Sequence, residues 1–149
     1  MVQKKRWFNR TGLLAASFMA AGLAIGAIGV QGLAQGVAPT EHKGLSVETL
    51  GVIPEASMKA TLGIEGRILL LRAITIAPGG QIAKHSHETV PGLVKVIDGA
   101  WVEGRDSGEA VFDANTQPAI IEDEATVHWF YNRGVAPATA IVCDVKPAS

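Results

Sequence analysis

One cysteine, Cys143, stands in 149 residues. No internal disulfide can form, so stability must come from packing. Aromatic residues make up 5% of the chain and charged residues 18%. No basic stripe interleaved with aromatics is present, so nucleic acid is not an expected partner. The chain also lacks a Gly-rich phosphate loop, an internal repeat, and any Ser/His/Asp arrangement in a recognisable nucleophile context. Charge is missing locally as well. After Arg10 no charged residue occurs until Glu41.

That gap follows Lys4, Lys5, Arg6 and Arg10 and is filled by Ala, Gly, Leu and Ile, with small residues at its end. A basic start, an apolar run and a small-residue site such as Gly32-Leu33-Ala34 form the layout of a secretory signal peptide. Residues 1–34 are therefore expected to be a signal peptide or, uncleaved, a membrane-anchor helix tethering the chain through residues 11–34. In either case the remainder lies outside the cytoplasm, periplasmic or extracytoplasmic, because the positive end stays inside. Without residues 1–34 the chain keeps nine basic and fourteen acidic residues, a mildly acidic domain of net charge −5. Residues 35–44 read as a linker, with His42 as a solvated linker residue. Residues 45–149 are enough for one domain.

Within that domain the apolar residues run in short stretches separated by Gly, Pro, Asp and Asn. Strands are expected at Leu45–Val52, Gly66–Ile76, Leu93–Ile97, Ala100–Glu103, Ala110–Phe112, Ala119–Glu122, Ala125–Asn132 and Thr139–Val145. Glu55–Leu62 is either a helical turn or a loop. Pro78-Gly79-Gly80 reads as a turn, and Asp98-Gly99 suits a tight hairpin. Few helical periods and a strand every 8–12 residues predict an all-β barrel or sandwich. In Gly66–Ile76 neither face is cleanly polar, because Arg72 sits amid apolar residues, so the alternation leaves the core-facing side open. An apolar edge strand here makes a homodimer plausible.

His85 and His87 are two residues apart, and in a strand such residues share a face. Two imidazoles on one face can chelate one metal ion. A third histidine, His128, lies in the later strand ATVHWFYN, four residues before Asn132. If His128 points inward, Phe130 and Asn132 share its face, while Trp129 and Tyr131 look outward as packing or surface aromatics. Asn132 would orient backbone at the strand end. Trp101, Glu103 and Arg105 have two readings, residues lining the barrel mouth or a hairpin with solvated charges, of which the hairpin is the expected one; Cys143 is read as a small buried packing residue.

These residues resemble the two motifs of the cupins, jelly-roll barrels built as a double-stranded β-helix. Gly79, His85, His87 and Gly99 match the first motif in register, and His128 and Asn132 match the second. The motif glutamate falls on Gly92, and Gln117, Asp123 and Ala125 replace the Gly, Pro and Gly of the second motif. The resemblance implies a cupin domain whose His85, His87 and His128 converge on one divalent transition metal (Fe, Zn, Mn, Ni or Cu). It also implies a small-molecule ligand or substrate. Three readings of Gly92 stay open. Glu88 swings in as a fourth ligand; the site is a neutral three-histidine centre, as in the thiol dioxygenase branch; or the barrel binds no metal. The function expected is a metal-dependent, dioxygenase-like enzyme, with a non-catalytic metal- or small-ligand-binding module as the alternative.

Overall fold

The computed structural model describes residues 37–148. The expected signal or anchor segment lies outside them. Among the described residues no helix is long and apolar enough to cross a membrane. The elements in order are β1 (Lys43–Ile53), α1 (Glu55–Leu62), β2 (Arg67–Ser86), β3 (Gly92–Asp98), β4 (Ala100–Arg105), β5 (Gly108–Asp113), β6 (Ile120–Glu122), β7 (Val127–Tyr131) and β8 (Ala138–Pro147). The all-β expectation holds. Eight antiparallel strands run β5-β4-β7-β2-β8-β3-β6, with β1 added against β2, in one curled sheet.

β2 organises the sheet. Its first half lies between β1 and β8, so Gly66–Ile76 is not the edge strand expected from the sequence, and its second half leaves them to pair with β7. Pro78-Gly79-Gly80 is therefore a bend inside one strand rather than a turn between two. Asn132 keeps the bend paired: the Gly79 N–H donates to its carbonyl, and its own N–H donates to the Gly80 carbonyl. Gly79 adopts φ 68° there, a conformation that favours glycine. Asp98-Gly99 likewise does not close a hairpin. β3 pairs with β6 and β8, while β4 pairs with β5 and β7, so the dipeptide carries the chain across the barrel. A turn motif encodes a change of direction; which strand lies opposite is decided by the packing.

Burial also settles which side of β2 faces inward. Ile74 and Ile76 join the core with Ile82, Val94, Trp101 and Phe130. Arg72 shares their parity and points inward, where its Nη2 donates to the buried carboxylate of Asp144 on β8. Residues 37–42 are not a free tether. The Lys84 N–H donates to the Pro39 carbonyl, Gln81 Nε2 to the Glu41 carbonyl and Tyr131 Oη to the Val37 carbonyl. Cys143 is half-buried and free.

Candidate metal centre

His85 is the penultimate residue of β2, and His128 sits directly opposite it on β7. His87 lies just past the end of β2, held because its N–H donates to the Thr126 carbonyl at 2.9 Å. The three rings gather with centroids 4.7–4.9 Å apart. The fourth member is Glu122 of β6, and the ligand atoms of His85, His87, His128 and Glu122 lie within 4.8 Å of one another. Glu122 Oε1 is 3.5 Å from His87 Nε2 and 3.4 Å from His128 Nε2.

Glu122 answers the problem posed by Gly92. Gly92 is the cross-strand partner of Glu122 on β6 and of Asp144 on β8. Opposed residues share a face. A Cβ at Gly92 would lie 2.6 Å from Glu122 Oε2 and 2.7 Å from Asp144 Oδ1. The carboxylate expected from β3 thus arrives from the neighbouring strand, and position 92 has no room for a side chain. Glu88, by contrast, is exposed in the turn after His87, its N–H donating to Ser86 Oγ, and takes no part.

The outer nitrogens fix the tautomers. Each Nδ1 meets an acceptor: the Ala83 carbonyl for His85 at 2.8 Å, the Val90 carbonyl for His87 at 2.7 Å, and Glu103 Oε1 for His128 at 2.7 Å. A neutral imidazole that donates from Nδ1 turns a lone pair outward at Nε2. With both rings neutral in these tautomers, His87 Nε2 and His128 Nε2 face each other at 3.1 Å, a separation that a shared proton or a bound cation bridges. Two acceptors at that distance repel unless an electropositive species lies between them. Glu122 Oε2 and Asp144 Oδ1 add buried carboxylate oxygens without hydrogen-bond partners. Asp144 already has the Arg72 charge beside it, but the buried Glu122 carboxylate has no cationic side chain of its own, and a metal cation relieves that cost. Three imidazoles and one carboxylate fit a divalent transition metal.

Burial lowers the pKa of His85, which favours the neutral ligand form. For His128 burial acts the same way, but hydrogen bonds and charge from Glu103 and Glu122 more than reverse it, and its pKa is raised. Burial pushes Glu103 up, yet its bonds to His128 and Arg105 hold it below the usual glutamate range. Asp144 is raised chiefly by burial, with Glu122 nearby adding to the effect.

Glu103 corrects the sequence expectation of a solvated charge. It is 5% exposed and bonds His128 on one side and Arg105 on the other. Its signal in the sequence is an acid two residues after a core Trp on one strand, and nothing local distinguishes that from a surface acid. Trp101 is also buried and lines the cavity above the cluster. Asn132 does orient backbone: Nδ2 donates to the Ile76 and Ala136 carbonyls, and Oδ1 accepts from the Gly134 N–H. Glu103→Ala should leave the His128 tautomer unfixed and weaken metal binding by roughly 10- to 100-fold. Competition against a chromogenic chelator measures this, and an unchanged affinity would remove Glu103 from the account.

No family model matches the sequence, and no curated protein does. Solved structures do. A cupin domain of an XRE-family transcriptional regulator from Enterobacter cloacae superposes with a TM-score of 0.52 at 17% identity, covering 70% of this chain and 99% of that one. The chain has the cupin fold. KdgF from a Halomonas species matches this cupin-fold chain with a TM-score of 0.51 at 14% identity, covering 70% of it and 79% of KdgF. An oxalate oxidase in complex with the substrate analogue glycolate matches with a TM-score of 0.50 at 20% identity. There the match covers 72% of this chain and 53% of the oxidase, so the chain spans about half of that protein.

Proposed function

We propose that this is an exported cupin that holds a divalent transition metal between His85, His87, His128 and Glu122 and uses it on a small molecule, in a dioxygenase-like reaction. The observation that carries the reading is the convergence of inward-facing Nε2 lone pairs with Glu122 Oε1 in a buried cluster. Once bound, the metal would supply Lewis-acid or O2-binding chemistry. His85, His87, His128 and Glu122 would hold it, and a metal that accepts more than four ligands would still be able to take a substrate.

The carboxylates beside the cluster, other than Glu122, are already engaged. Glu103 is committed to His128 and Arg105, and Asp144 to Arg72. Outside the four ligands, the ionisable residues lining the cavity are His42 and Arg72. That an oxalate oxidase shares the fold supports an enzyme of this kind. Export is proposed on the basic-then-apolar layout of residues 1–34.

Elemental analysis of the full chain, purified without chelator or tag histidines, should find close to one metal per chain. His85→Ala/His87→Ala should hold none. Iron or manganese, with oxygen uptake in the presence of small organic substrates, would support the enzyme. Stoichiometric zinc without turnover would leave a binding module. No metal after loading with Fe, Mn, Ni, Cu and Zn would overturn the reading.

A further inference from the structure

Above the cluster lies a cavity of about 350 Å³, at the small end for ligand sites. Apart from the metal-binding side chains and two other residues its lining is apolar, with Leu45, Val94, Trp101 and Phe130 among the walls. The two exceptions are Arg72 and His42. Both are hydrogen-bond donors.

Arg72 has no acceptor atom. It commits Nη2 to Asp144, and its Nε is buried without an acceptor, so a ligand in the cavity meets the rest of the guanidinium. His42 accepts the Ala83 N–H at Nδ1, at 3.1 Å. That bond leaves the ring hydrogen on Nε2, and His42 is one of the residues lining the cavity. The linker reading of His42 is therefore incomplete: its residue is exposed, but β2 fixes its tautomer and it forms part of the wall.

The charges agree with the donors. With neutral imidazoles, one ionised Glu122 and a divalent ion, the centre keeps one positive charge, to which the Arg72–Asp144 pair adds nothing. A site with donors, apolar walls and a surplus positive charge matches a ligand that carries acceptors and one negative charge on an apolar body. We propose that the cavity takes a small monocarboxylate, its carboxylate held by Arg72 and His42 and its apolar part packed against Trp101 and Phe130. This assignment rests on the metal reading above, and it names the substrate class of that same site.

Calorimetric titration of the zinc-loaded full chain tests it, with benzoate and hexanoate as probes and benzamide and benzyl alcohol as neutral counterparts. Benzoate should bind roughly tenfold or more tightly than benzamide, the gain expected of a charge-assisted hydrogen bond. His42→Ala should weaken benzoate by about fivefold and leave benzamide unchanged, with His42→Gln restoring a donor and part of the affinity. Arg72→Met alone would strand the buried Asp144, so it is paired with Asp144→Leu; that double variant should lose the preference for benzoate. Equal binding of benzoate and benzamide, no binding of either acid, or discrimination unaltered in both variants would overturn the proposal. Zinc content of the same samples separates the two readings. Full zinc without discrimination overturns the carboxylate assignment alone, and absent zinc overturns the metal centre and this assignment with it.

Discussion

Glu122→Ala is expected to lower metal affinity by more than the roughly 10- to 100-fold that loss of an outer-sphere partner costs, because it removes the one anionic ligand. Gly92→Glu/Glu122→Gly is expected to recover part of that loss, since Asp144 Oδ1 still crowds the new Cβ. The reason lies in the pairing. Gly92 and Glu122 face each other across β3 and β6, so a carboxylate from either strand enters the same volume. Gly92→Glu without the second change should fail, since its Cβ already crowds Glu122 Oε2 and Asp144 Oδ1 and a third buried carboxyl joins them. In the metal-free protein that single variant should be destabilised by about 1–3 kcal/mol or more through overpacking alone. Metal affinities and thermal melts of the three variants decide the matter. Should Glu122→Ala bind metal as tightly as the parent chain, Glu122 is not a ligand and the three histidines act alone.

Gly104→Ala is expected to be among the most destabilising small substitutions in the domain, costing about 1–3 kcal/mol, with Gly104→Val costing more. Gly104 pairs with Trp129 across β4 and β7, and a Cβ there would overlap the indole ring. Its conformation does not demand glycine; the space does. Trp129 looks away from the histidines, as its strand parity predicts, yet it is only 3% exposed, because it lies over Gly104 and beneath Lys84, whose Nζ is 5.4 Å from the ring centroid. The same strand pair carries Glu103 and His128, so a displaced indole should also reduce metal affinity. Trp129→Leu opens the space, and the combination Gly104→Ala/Trp129→Leu should be more stable than the two single costs summed. Urea unfolding of the four proteins gives that coupling. If Gly104→Ala unfolds at the same urea concentration as the parent, the indole has room to move and the steric account fails.

The all-β class and the His85–His87 pair were legible without coordinates because both depend on local periodicity; His128 entered through the resemblance of its strand to the second cupin motif. Alternation along a strand puts His85 and His87 on one face, and short strands between Gly, Pro and Asp segments limit the architecture to an all-β one. Glu122 was not legible for a physical reason. β6 reads Ile120-Ile121-Glu122, with apolar residues of both parities, so period two allows either face to point inward. Burial shows Ile120 and Glu122 inside and Ile121 outside. The same ambiguity hid the direction of Arg72 on β2. Glu103, buried against His128, and His42, drawn into the cavity wall by the Ala83 N–H, depend on partners 25 and 41 residues away in sequence. By itself, then, the sequence determined the all-β character, the histidine pair and the missing carboxylate at Gly92, all properties of short stretches. Only the tertiary structure decided where the missing carboxylate comes from and which charges face the cavity. Those follow from the register between strands far apart in the chain, and register is set by the packing of the whole barrel.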